Sequence, residues 1–188
     1  MELVSKAIIY ATKAHDGMRR KKSDIPYIMH PLEAAVIVST MTSDQEVIAA
    51  SVLHDIVEDT NITIEEIASE FSEKVTRLVA SETENKREHM DSQLSWKIRK
   101  EESLEELKNT DDLDVLKVWL GDKLANMRSI YEDWKILGDD IWNKFNQKDP
   151  KEHAWYYLLI AKYTSRLSNY RAWQEYNKLV SIVFGKGE

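Results

Sequence analysis

The 188-residue chain has no cysteine, which excludes a disulfide scaffold, a thiolate metal site and a cysteine nucleophile together. It has only five glycines and three prolines. Strict apolar–polar alternation is rare as well, so helices are favoured over strands and tight turns. Long hydrophobic runs are missing. The longest stretch without a charged residue is ten, Ala34–Ser43, about half of the ~20 residues a membrane helix needs. The N-terminus, Met1-Glu2-Leu3-Val4-Ser5-Lys6, has no basic start leading into an apolar run. No secretory signal is expected, and the expected location is the cytoplasm, away from membranes. An excess of positive charge is also lacking: 26 Lys and Arg stand against 33 Asp and Glu, a net of -7. Such a chain is poorly suited to displacing counterions from nucleic acid, so no nucleic-acid partner is expected. The absence of a Gly-x-x-x-x-Gly-Lys-Ser/Thr loop leaves a P-loop kinase or ATPase unsupported.

What is present is enough for a core. Hydrophobic residues make up 43% of the chain, with six Trp and eight Tyr, which excludes wholesale disorder. Helical spacing recurs throughout, and the fold expected is all-α: a single-domain helical bundle over residues 1–188. A first helix carries Leu3, Ala7, Tyr10, Ala11 and Ala14 and ends near Gly17. A second starts about Pro31, where proline suits a first turn. Ser43-Asp44-Gln45-Glu46 reads as a capping box opening a third helix through about Asp59, and Thr63-Ile64-Glu65-Glu66 as another opening a fourth. Further helices are expected over 72–81, 96–108, 112–137, 151–167 and 169–184. Residues 82–95 are polar and mixed in charge, the segment best suited to a mobile excursion. Arg19-Arg20-Lys21-Lys22 concentrates positive charge in an acidic chain, as a small anionic ligand requires.

The third helix carries a contradiction. Ile48, Ala49, Val52, Leu53, Ile56 and Val57 bury most of its circumference, yet His54, Asp55, Glu58 and Asp59 share one flank at spacings of three and four. Carboxylates crowded on a buried helix repel one another and are costly to desolvate without a cation. His30, in the apolar stretch Pro26-Tyr27-Ile28-Met29-His30-Pro31, and Asp122, on the stripe Val115, Val118, Asp122, Ala125, add similar polar residues at apolar positions. His30, His54, Asp55 and Asp122 together form a mixed N/O donor set suited to Mn²⁺, with Fe²⁺, Co²⁺, Ni²⁺ or Zn²⁺ possible. Glu58 and Asp59, one turn beyond, would orient or deprotonate a water. A di-iron carboxylate bundle is disfavoured because its paired Glu-x-x-His motifs are missing.

These segments resemble, in order, the HD superfamily of metal-dependent phosphohydrolases. More narrowly, they are similar to the hydrolase domain of guanosine tetraphosphate (ppGpp) synthetase/hydrolases and to the stand-alone small alarmone hydrolases. The resemblance runs through Ala14-His15-Asp16-Gly17, Arg20-Lys21 and Pro26–Pro31, then Leu53-His54-Asp55-Ile56-Val57-Glu58-Asp59-Thr60, then Leu120-Gly121-Asp122-Lys123-Leu124-Ala125-Asn126-Met127-Arg128. It covers about residues 1–135; the helices at about 151–184 are less diagnostic. It implies that His30, His54, Asp55 and Asp122 hold one Mn²⁺ and that Glu58 and Asp59 act on the attacking water. Arg20, Lys21, Lys86 and Asn126 would contact a nucleotide substrate. The implied reaction removes the 3′-pyrophosphate of ppGpp or pppGpp. The alternatives are an HD phosphohydrolase acting on another nucleotide, and a non-catalytic nucleotide-sensing module. A synthetase in the same chain is not expected, since too little follows residue 184. The chain departs from the family pattern in a loop one residue longer before Pro26, in Met18 and Lys22, and in Gly121 where alanine is usual. None of these removes a proposed ligand, but the altered loop is the one that would meet the base.

Overall fold

The computed structural model describes residues 1–20, 23–87 and 89–185. The helices are α1 (Leu3–Ala14), α2 (Met29–Ser39), α3 (Gln45–Leu53), α4 (Ile56–Asp59), α5 (Ile64–Glu70), α6 (Glu73–Ala80), α7 (Ser92–Asn109), α8 (Leu113–Leu137), α9 (Pro150–Tyr163) and α10 (Arg171–Phe184). Short 3-10 turns cover Gly138–Lys144 and Ser165–Leu167. The protein is all-α: no strand occurs among the described residues, where the β pairing is an isolated bridge from Arg19 to Pro26.

Local chemistry sets the helix ends. Thr63 Oγ1 accepts from the Glu66 amide while Glu66 Oε2 accepts from the Thr63 amide, at 3.3 and 2.7 Å, the reciprocal box expected from the sequence. At α3 the cap lies one residue later than expected. Asp44 Oδ1, not Ser43, accepts from the Glu46 amide at 2.9 Å, and an ionised carboxylate is the stronger acceptor at the positive end of a helix. Asp112 caps α8 and Gly138, at φ 55°, ends it, leaving a rod about 37 Å long.

The expected third helix is not continuous to Asp59. Its hydrogen-bond ladder is interrupted at His54–Asp55. The His54 ring nitrogen Nδ1 lies 2.8 Å from the Ser51 carbonyl, the acceptor that the Asp55 amide would use in an unbroken helix, so side chain and backbone compete for one oxygen. Residues 82–87 and 89–91 do form irregular backbone, yet Glu82 and Glu84 turn inward from it. Glu84 is held by Arg99, Lys100 and Ser103 at 3.0, 2.7 and 2.9 Å.

α8 runs through the middle of the bundle, packing on α2, α3 and α10, while α1 and α6 close over α3 and α9 bridges α7 and α10. Gly121 is a point of close approach between α8 and α2. A Cβ there would sit 2.5 Å from Val38 Cγ2 and 3.0 Å from the Ala34 carbonyl oxygen. That contact brings the first turn of α2 and the middle of α8 to the end of α3, where the polar residues gather.

Candidate metal centre

His30 projects from the first turn of α2, His54 from the end of α3 and Asp122 from α8, and all three are buried. Their ligating atoms lie within 4.8 Å of one another. His30 Nε2 is 3.0 Å from Asp122 Oδ1 and 3.4 Å from Asp55 Oδ2; His54 Nε2 is 3.2 Å from Asp55 Oδ2 and 3.6 Å from Asp122 Oδ1. Because Nδ1 of His54 is spent on the Ser51 carbonyl, its Nε2 is left facing both carboxylates, buried and without a hydrogen-bond partner. A tautomer fixed through one ring nitrogen, with the other aimed at carboxylates, is how a ligating imidazole is prepared. The residues present therefore fit a divalent ion.

Burial opposes charge on His54, but Asp55 and Asp122 outweigh it and hold its pKa well above that of a free imidazole. Burial likewise opposes charge on Asp55 and Asp122, yet both stay well below the usual carboxylate range. The imidazoles do this for Asp55, and Lys123 together with them for Asp122. Positive charge is thus favoured at the cluster, which suits a bound cation.

A cleft of about 170 Å³ opens over these residues. Six carboxylates line it (Asp55, Glu58, Asp59, Glu82, Glu84 and Asp122) against three cations, Arg20, Lys100 and Lys123. Burial, then Glu84 and Asp55, push the Glu58 carboxyl up to about 7. Asp59 is held by Lys86 at 2.6 Å. Asn126 donates to Asp122 Oδ1 at 2.6 Å and accepts from Arg20 at 3.1 Å, so a basic residue of the loop before α2 is tied to a carboxylate of the metal cluster.

Of the residues singled out in the sequence, the structure brings His30, Asp55, Glu58, Asp59, Asp122, Arg20 and Asn126 to this one cleft, with His54 buried against His30 and Asp122. Lys86 stands at Asp59, more exposed than the ligands. Lys21 lies outside the described residues. Tyr27, Glu82, Glu84, Lys100 and Lys123 also line the cleft but drew no assignment from the sequence. Glu82 and Glu84 had one usable signal, since residues two apart in extended chain share a side. Lys123 had none, because neighbours on a helix diverge.

A family model described as HD domain matches residues 7–149. GTP pyrophosphokinase rsh of Brucella ovis is 38% identical over 130 residues, which is 68% of this chain and 17% of that protein. The putative chloroplastic GTP diphosphokinase RSH1 of Arabidopsis thaliana is 35% identical over 137 residues, 69% of this chain and 15% of that one. The chain spans about one sixth of the length of the curated relatives it matches. Among solved structures, lmo0812 from Listeria monocytogenes superposes with a TM-score of 0.72 at 30% identity, covering 84% of this chain and 99% of that one. A metazoan ortholog of SpoT, described as hydrolysing ppGpp, shares the fold with a TM-score of 0.75 at 22% identity, covering 95% and 94%.

Proposed function

Since the chain belongs to the HD domain family, we propose that it is a metal-dependent nucleotide phosphohydrolase, removing the 3′-pyrophosphate from ppGpp or pppGpp to give GDP or GTP and pyrophosphate. The observation that carries this reading is the buried Nε2 of His54, aimed at Asp55 and Asp122 beside His30 beneath a polar cleft. The guanine-nucleotide substrate is supported by the ordered motifs and by the 38%-identical relative, whose name is that of a GTP pyrophosphokinase.

His30, His54, Asp55 and Asp122 would hold one Mn²⁺. Bound there, the ion would supply Lewis acidity, drawing charge from a phosphate oxygen and acidifying a nearby water. Glu58, half-buried at the cleft wall with its carboxyl near 7, is matched to accept a proton at neutral pH. Asp59, anchored by Lys86, would orient the same water. Arg20 offers a planar cation that can stack on a base and bind phosphate, with Asn126 beside it. Lys86 adds positive charge at Asp59, and the family resemblance implies a substrate contact for Lys21 as well.

The test is to incubate the protein with ppGpp and Mn²⁺, with His54→Ala as control, and to identify the products. GDP and pyrophosphate, absent from the control, are the expected result. Orthophosphate alone would assign the chain to another nucleotide, and a metal-loaded protein inert toward a broad nucleotide panel would make it a sensor.

A further inference from the structure

Tyr27 carries a hydroxyl that the chemistry above leaves unused. It sits on the loop before α2, where its amide donates to the Met18 carbonyl at 3.0 Å and the Arg20 amide donates back to Ile25 at 2.9 Å. The ring is half-buried. His15 packs against it with centroids 4.9 Å apart, the His30 ring lies edge-on with its centroid 6.1 Å away, and the Arg20 guanidinium stands 5.7 Å from the ring centre. His15 is 2% exposed, and neither of its ring nitrogens has a hydrogen-bond partner, so it serves Tyr27 as a flat wall.

The hydroxyl so placed donates to Asp55 Oδ2 at 2.6 Å. That oxygen is the one standing 3.4 Å from His30 Nε2 and 3.2 Å from His54 Nε2. We propose that Tyr27 is a positioning residue that fixes Asp55 as a metal ligand, an assignment that rests on the metal site proposed above.

The physical reason is orientational. The terminal torsion of an aspartate is broad and nearly two-fold, so a carboxylate held by the backbone alone samples positions in which neither oxygen faces the imidazoles. A short hydrogen bond from a phenol to an ionised carboxylate is among the stronger neutral-donor contacts, and here it comes from a ring packed against His15. The phenol has a single proton to give. With that proton on Asp55, the nearby Asp59 must rely on Lys86 at 2.6 Å, which keeps the ligand and the water-orienting carboxylate on separate supports.

The test uses Mn²⁺ alone. Metal-free wild type, Tyr27→Phe and His54→Ala are titrated with Mn²⁺ while free ion is counted by electron paramagnetic resonance, and each is melted without metal. The phenylalanine variant should bind Mn²⁺ about tenfold more weakly, at the lower end of the 10–100-fold that outer hydrogen-bond partners contribute. Its metal-free melting should fall only slightly, through the one hydrogen bond lost, because every ring contact remains. Hydrolysis should fall at limiting Mn²⁺ and recover at saturation with KM for ppGpp unaltered. Equal Mn²⁺ affinity in wild type and Tyr27→Phe would overturn the assignment. So would a weaker affinity matched by an equal loss of metal-free stability, which would make the hydroxyl a folding contact. A wild-type protein that binds Mn²⁺ no better than His54→Ala would instead sink the metal site itself.

Discussion

Alanine at position 121 is the most direct probe of how the bundle sets the site. Gly121→Ala adds one methyl group between α8 and α2, and two opposing effects decide the sign. Within a helix, alanine is favoured over glycine by about 1 kcal/mol. Against that, the new Cβ would sit 2.5 Å from Val38 Cγ2 and 3.0 Å from the Ala34 carbonyl, where ordinary contact begins at 3.4 Å. Val38 is fully buried and β-branched, so it cannot rotate aside cheaply, and the Ala34 oxygen is backbone. Overpacking of this kind costs about 1–3 kcal/mol. The net expectation is a loss of about 1 kcal/mol, or about 2–4 °C in Tm for a domain of this size. Separating the two helices also moves Asp122 away from His30, so Mn²⁺ affinity should fall. Urea unfolding of Gly121→Ala, Val38→Ala and the double variant checks the cause. The added methyl group fills space vacated by the valine, so the double variant should lose at least about 1 kcal/mol less than the sum of the singles. A Gly121→Ala protein at least as stable as wild type, with additive effects in the cycle, would refute this account of the α2–α8 contact.

Three further outcomes are expected. Asp122→Asn should keep the helical fold by circular dichroism but weaken Mn²⁺ binding by more than the 10–100-fold that outer partners contribute; wild-type affinity would remove Asp122 from the site. Glu58→Gln should leave metal uptake within about twofold and lower kcat by about 10²–10⁴. In the wild type, burial and neighbouring carboxylates raise Glu58 to about 7 in the metal-free cleft, and a bound cation lowers it. The rate should therefore fall with acidification through an apparent pKa at or below 7, a limb that the glutamine variant should lose. Thr63→Ala, far from the site, should cost about 1 kcal/mol in urea unfolding through loss of the cap on α5, with Mn²⁺ affinity unchanged.

How much of this was legible in the sequence depends on the residue. His30, His54 and Asp122 stood out because each is polar at a position where helical spacing calls for an apolar side chain, and such a mismatch can be seen without coordinates. The all-α fold was readable for the same reason, from a period sustained over many residues. The interruption at His54–Asp55 was not, because it arises from a ring nitrogen competing for one carbonyl, and neither spacing nor propensity encodes that contest. Glu84, Lys100 and Lys123 looked like ordinary solvated charges. Only the tertiary fold, which brings α7, α8 and the segment after α6 to one place, makes them walls of one cleft. Tyr27 was visible within its motif, but the partner of its hydroxyl lies 28 residues away, and one sequence offers no means of pairing them.

The crowding of acidic groups around the cleft has a consequence for the metal-free protein. Among the described residues six carboxylates face three cations, and burial pushes the Glu82 carboxyl well above its ordinary range, so part of that negative charge is masked by bound protons. Seating a divalent ion there should displace protons, and an unbuffered solution of the protein should turn more acidic as metal is added.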